Sequence, residues 1–212
     1  DGQNPAREYK TGTNITANNT QGFNLSSGTA SGSVAYKRAI NSVSNPDEFD
    51  INLLVTPGVI HSLHPSVTNH AISKVEARAD SFFILDSIGY SDSIQTAINT
   101  VKTLDSNYVG TYYPWVKILD RDTNRQVWVP PSVVIAGVIS NTDAVAHEWF
   151  APAGLNRGGL TSVTEARTRL THAERDDLYE NRINPIASFP GQGVVVFGQK
   201  TLQAKPSALD RI

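Results

Sequence analysis

The chain has no cysteine and no methionine among its 212 residues. Without thiols there is no disulfide framework, no thiolate metal site and no cysteine nucleophile. The lack suits folding in a reducing compartment. Without methionine, an initiator included, the chain reads as a fragment of a longer protein. No apolar run approaches the ~20 residues of a membrane-spanning helix. Asp1-Gly2-Gln3-Asn4 carries neither the basic nor the apolar region of a signal peptide. Excess positive charge is also missing: 18 Lys and Arg face 20 Asp and Glu, a formal net charge of -2. That leaves no electrostatic footprint for nucleic acid or an anionic membrane. What is present, 39% hydrophobic and 18% charged residues, describes a globular protein long enough to bury a sizeable core.

Residues 1–33 are rich in Gly, Asn, Thr and Ser. They contain three glycosylation-type triplets, Asn14-Ile15-Thr16, Asn18-Asn19-Thr20 and Asn24-Leu25-Ser26, which without a secretion signal read as loop chemistry. This stretch is expected to be a flexible or edge segment left by a missing neighbouring part, with an α/β core over 34–212. In the core the pattern alternates. Tyr36, Ala39, Ile40 and Val43 predict a short helix ending before Asn45-Pro46. Ile51–Val55 reads as a buried parallel strand closed by Thr56-Pro57-Gly58. A helix after Pro65 turns Val67, Ala71, Ile72, Val75 and Ala79 inward, and Phe82–Leu85 is the next strand. A second helix, capped by Ser91, carries Ile94, Ala97, Ile98, Val101 and Leu104 on one face, before a strand over Asn107–Tyr113.

This spacing predicts βαβ crossovers and a mainly parallel or mixed central sheet flanked by helices. An added hairpin follows, Trp115–Leu119 with Gln126–Val129, and then a helix over Ser132–Ser140 opened by Pro130-Pro131. Ser162 with Glu165 and Thr171 with Glu174 each have capping-box spacing, the second starting a helix through Leu178 that ends near Asn184-Pro185. Val194–Phe197 is the last strand, after a turn at Gly191-Gln192-Gly193.

The candidate chemistry is thin. Asp120, Asp122 and Asn124 imitate the start of a calcium loop, but Arg125 and Pro131 stand where Gly and a bidentate Glu are required, so a polar hairpin turn is the reading. His61, His64 and His70 lack the companions of a zinc site. His147-Glu148 begins a zinc-protease pattern that fails at Ala151. Asp86, at a strand end, is a candidate acid or ligand of an α/β enzyme using the loops near Pro57, or else a helix-cap or loop carboxylate. No Walker sequence, G-x-G-x-x-G or G-x-S-x-G is present. Tyr112-Tyr113-Pro114-Trp115 and Trp128-Val129-Pro130-Pro131 suit a binding platform, a core or a subunit contact. Arg121, Arg125 and Arg157 are candidate partners for acidic neighbours, or solvated surface.

The most particular stretch is Trp149-Phe150-Ala151-Pro152-Ala153-Gly154-Leu155-Asn156-Arg157-Gly158-Gly159. It holds no nucleophile, base or metal ligand and reads as a structural join. Trp149 and Phe150 are expected to anchor in the core, Pro152 and Gly154 to set the turn, and Gly158-Gly159 to lead toward a helix. With blocks in the same order along the chain, it resembles the tail sheath proteins of contractile bacteriophage tails from about Phe23 onward. Those blocks are Asp50–Leu54 with Pro57-Gly58, Glu76–Asp86, Tyr112–Trp115, Val129–Ser132, Asn141–Asp143, Glu174–Tyr179, Ile183–Ile186 and Phe197–Leu202. The chain departs from the family's Gly-rich N-terminal turn at Leu25-Ser26-Ser27-Gly28. It stops at Ile212, where sheath proteins continue into an Arg-rich segment and a C-terminal domain.

The resemblance implies a structural subunit, not an enzyme, that polymerises as stacked hexameric rings around a tail tube. Contraction of that sheath drives the tube through the bacterial envelope for genome ejection. The implied partners are further copies of itself, the tail tube protein, and baseplate and tail terminator proteins, with no nucleic acid and no direct membrane insertion. It implies no catalytic, cofactor-binding or metal residue and no cofactor. The implied location is the virion tail, after assembly in the host bacterial cytoplasm. Sheaths of R-type bacteriocins and type VI secretion systems are the related alternatives, and a small-ligand-binding α/β enzyme the unrelated one.

Overall fold

The computed structural model describes residues 15–147 and 149–212. Residues 1–14, with the Asn14 triplet and the start of the N-terminal segment, and Glu148 of the zinc-protease pattern lie outside the described residues. The elements are α1 (Ser31–Ser42), β1 (Leu53–Ile60), α2 (Pro65–Arg78), β2 (Phe82–Asp86), α3 (Ile94–Val101), β3 (Val109–Tyr113), β4 (Val116–Asp120), β5 (Arg125–Val129), α4 (Ser132–Val145), β6 (Val163–Ala166), α5 (His172–Glu180), β7 (Asn184–Phe189) and β8 (Gly193–Val196).

The fold is the expected α/β architecture. A five-stranded sheet runs β1-β2-β3-β7-β8, and a three-stranded sheet runs β5-β4-β6. In the large sheet β1, β2, β3 and β7 are parallel, and β8 returns antiparallel to β7. Alternating side chains divide the core in two. Phe83 and Leu85 of β2 pack with Val67, Ala71 and Val75 of α2, Ala97, Ile98 and Val101 of α3, and Leu178 of α5. Ile84, between them, faces the opposite way, toward Val134, Ile135 and Val138 of α4 and Val116 of the small sheet. Period-two alternation thus makes β2 the shared wall of two clusters.

Several expectations are corrected. β1 does not close at Thr56-Pro57-Gly58 but continues to Ile60, with a register shift between Val55 and Ile60. It is an edge strand, where a proline without an N–H is tolerated, and Gly58 takes φ 86°. The cap of α3 is Ser93, whose side chain accepts from Thr96 N–H, not Ser91. Ala79 does not face inward; it ends α2 in the left-handed conformation, φ 60°. Ser162 and Glu165 form no capping box, because Val163–Ala166 is drawn into a strand by β4, with Val116 opposite Ala166. Thr171 and Glu174 do form one, both reciprocal bonds being present. Asn184-Pro185 opens β7 instead of ending a helix, with Tyr113 opposite Pro185.

Short bridges pair Thr16 with Asn19 and Thr20 with Phe23, and Leu25 is 2% exposed against the first cluster.

Candidate functional site

The carboxyl ends of the parallel strands are where an α/β enzyme would place its chemistry. Here they hold His61 and His64 after β1, Asp86 closing β2, and Ser132 opening α4. Asp86 is 3% exposed. Its Oδ1 accepts from the Ser132 N–H at 3.1 Å and its Oδ2 from the Ser132 hydroxyl at 2.6 Å. Burial pushes the carboxyl up from 3.8 to about 7, against the two Ser132 bonds that favour the charged form. Pro131, the residue before α4, offers no side-chain cap, so Asp86 caps the helix from a distant strand.

His64 Nδ1 accepts from the Ile60 N–H at 3.0 Å, so Nε2 carries the proton and donates to the Thr16 carbonyl at 3.0 Å. His61 Nδ1 meets the Thr68 hydroxyl at 2.7 Å. Burial lowers the pKa of both imidazoles, more than the Thr16 bond raises that of His64. His70 sits apart, joining α2 to α1 through Asn41 at 2.8 Å. Among the described residues no three His, Cys, Asp or Glu gather as a metal group. The histidines act as braces, His64 to the segment at Thr16, His61 to α2, and His70 from α2 to α1.

The polar hairpin is a turn. Asp120 spends its carboxylate on the Asp122 N–H at 3.1 Å and the Thr123 hydroxyl at 2.6 Å, and Asn124 takes φ 52°. Arg121 and Arg125 are exposed. The first aromatic run is core: Tyr112, Tyr113 and Trp115 are at most 5% exposed. The Trp115 indole donates to the Ile88 carbonyl at 3.0 Å, and Tyr90 bridges Trp115 to half-buried Trp128.

The run after α4 differs most from expectation. Trp149 is 79% exposed and Phe150 38%, so neither anchors in the core. Trp149 stacks on His147 at 4.5 Å, and the Arg157 guanidinium lies 4.8 Å from the Phe150 ring. The run is bound to the body by its backbone, with Pro152 buried and Ala153 packed against the second cluster. The Gly154 N–H donates to the Val196 carbonyl and the Val196 N–H to Gly158, both at 2.8 Å. Gly158-Gly159 therefore lead along β8 into β6, not into a helix.

Beside this run lies a groove of about 340 Å³ lined by Ala153, Arg175, Tyr179, Pro185, Phe197 and Gln199, among others. Arg175 lies over both Phe189 and Phe197, at 5.1 and 5.7 Å. Lys200 lies 4.2 Å from the Tyr179 ring. The sequence reading missed this groove. Its signal was Arg175 and Tyr179 at i, i+4, hence on one face of a helix.

Buried groups bonded to one another, with exposed aromatics and cations on the outside, are suited to contact. The tail sheath proteins of Vibrio phage KVP40 and Enterobacteria phage T4 are 41% and 37% identical to this chain, over 53% and 58% of it and 16% and 18% of themselves. That of Salmonella phage ViI is 33% identical over 51% of this chain and 17% of its own length. The chain thus spans less than a fifth of the length of these curated relatives. Among solved structures, the baseplate of the anti-feeding prophage aligns with a TM-score of 0.62 at 27% identity, covering 78% of this chain and 42% of that one. The contracted PVC sheath complex of an extracellular contractile injection system aligns at 0.61 and 25% identity, covering 81% and 46%. The model of the phage tail sheath protein central domain matches residues 29–202, and the chain belongs to that family.

Proposed function

We propose that this chain is the central part of a contractile tail sheath subunit. Many copies would stack as hexameric rings around a tail tube, extended and metastable, and contract on a baseplate signal to drive the tube through the bacterial envelope. The observation that carries this is the family match over 29–202. The fold serves the role physically. A body with two packed clusters on one sheet moves as a unit, so work comes from exchanging one set of intersubunit contacts for another. In this reading residues 34–212 bear the load, and the segment before them lies at an edge. The role is mechanical and requires no catalytic residue, cofactor or metal. The partners are further copies, the tube protein, and baseplate and terminator proteins, in a phage virion assembled in the host cytoplasm.

A phage tail is preferred to an injection-system, bacteriocin or secretion sheath. The phage relatives are 33–41% identical, against 25–29% for the first three structural neighbours. Electron microscopy of the whole protein tests the proposal: tubes of sixfold symmetry are expected, and monomers under all conditions would overturn it. Capsid and terminase genes beside its gene would mark a phage.

A further inference from the structure

The loop between α1 and β1, Asn45-Pro46-Asp47-Glu48-Phe49-Asp50, is exposed at every position. Three carboxylates surround Phe49, which is 44% exposed. The loop is held from beneath. Arg78, whose side chain is 2% exposed, donates to the carbonyls of Val43 and Phe49 at 2.7 Å each and grips Asp80 with its Nε and Nη2. The Phe49 N–H donates to the Asn45 carbonyl at 3.2 Å. Backbone and anchor point inward, while the ring and the carboxylates remain outside. Among the described residues, Asp47, Glu48 and Asp50 enter no ion pair within 4.0 Å, the bridges being confined to other residues.

The Phe197 groove has the opposite character. Arg175 lines it and rests on aromatic faces, with no carboxylate within 4.0 Å among the described residues; Arg157 stands at its rim, its Nε donating to the carbonyl of the lining Ala151 at 3.2 Å, and Lys200 lies beside it over Tyr179. Asp176 also lines the groove, 2.8 Å from His172 Nδ1, so the groove holds one carboxylate beside Arg175. Burial, with Arg211 nearby, holds the Lys200 pKa below the usual lysine value, while Asp210 and Glu180 act the other way. Phe197 itself is 44% exposed.

The two features lie on opposite edges of one sheet. The acidic loop precedes β1, which forms one edge, and Phe197 follows β8, which forms the other. Because β8 runs antiparallel to β7, Phe197 lies beside Pro185 at the entry of β7, and its N–H donates to the Pro185 carbonyl. Loop and groove are therefore both at the amino-terminal end of the parallel strands. Four strand spacings, roughly 19 Å, part them across the sheet, so they do not meet within one chain.

We propose that the 45–50 loop of one copy seats in the Phe197–Arg175 groove of the next copy. Phe49 joins Phe197 and Tyr179, and the loop carboxylates meet Arg157 and Arg175. The contact is head-to-tail, and such contacts generate rings or helical arrays, not closed pairs. A prefixed loop loses little freedom on docking. The inference rests on the proposed polymerisation and adds to it which surfaces meet.

None of these 212 residues is cysteine, and any thiol elsewhere in the whole protein is first replaced by serine. Phe49→Cys and Phe197→Cys proteins are prepared separately, mixed, and oxidised with copper–phenanthroline. The mixture is expected to give at least tenfold more disulfide-linked dimer than either variant alone, and a chain carrying both substitutions a ladder of oligomers. Arg175→Glu in the Phe197→Cys partner is expected to cut the mixed dimer at least tenfold, with Asp50→Arg in the other partner restoring it. Gln199→Cys replaces Phe197→Cys if the latter melts early. Mixed dimer no more abundant than in the single variants overturns the contact. Wild-type tubes with that result leave the sheath role standing without this contact, while cross-linking with no tubes under any condition keeps the contact and removes the sheath role.

Discussion

Asp86 at the end of β2 and Ser132 at the start of α4 share two hydrogen bonds, 3.1 and 2.6 Å long. They couple the central sheet to the helix that opens the second cluster. The carboxyl is raised from 3.8 to about 7 by burial. A folded value above the unfolded one means that the fold favours the neutral acid. Its contribution to stability is full below about pH 4 and lost as the pH rises through about 7. Between pH 5 and 8 this amounts to at most about 3 kcal/mol. His61 and His64, lowered by burial, act in the opposite direction, losing stability as the pH falls through the histidine range. Thermal unfolding of Asp86→Asn beside the wild type isolates the carboxyl. The variant should gain on the wild type from pH 5 to pH 8, and an unchanged difference would refute the assignment.

A methyl group added at Gly158 would stand 2.5 Å from the Val196 carbonyl oxygen and 2.9 Å from Gly154 backbone, whereas one at Gly159 would meet nothing within 4 Å. Backbone cannot swing aside as a side chain can. Gly158→Ala is expected to cost about 1–3 kcal/mol in urea unfolding, and Gly159→Ala under about 1 kcal/mol. Equal costs would show that the run is not laced to β8.

Two tryptophans should behave in opposite ways. Trp149→Ala is expected to change stability by no more than about 0.5 kcal/mol and to remove the red-shifted part of the fluorescence emission. Trp115→Ala loses a 2% exposed ring and its bond to Ile88, and should cost about 3–5 kcal/mol. A blue-shifted loss on removing Trp149 would contradict its exposure.

How legible the fold was depended on the range of the forces involved. The β1-α2-β2-α3-β3 succession was readable because Val67, Ala71 and Val75, or Ala97, Ile98 and Val101, carry their period within one helix. The Thr171–Glu174 box was readable for the same reason, since cap and partner lie in one turn. Ser162 and Glu165 have the same spacing, yet distant β4 competes for them and wins. Pro57 and Pro185 looked like stops because sequence does not reveal an edge or a strand's first turn. Trp149 was placed in the core by its size, although a ring's burial depends on what folds against it. Asp86 was legible as a ligand, a helix cap or a loop carboxylate. Ser132, its partner, is not adjacent in sequence, so only the fold could choose.

The pairing of Tyr112 with Asn184 places β7 beside β3, with the whole small sheet, α4 and α5 intervening along the chain. The left part of the large sheet is made of neighbours in sequence, and the right part waits for a long loop to close. Loop closure costs entropy before the contacts that reward it exist. Strand order therefore predicts an order of folding. A local βαβαβ unit is expected to form first and β7 with β8 to dock last, which would complete the edge that carries Phe197 only when the rest of the chain is in place.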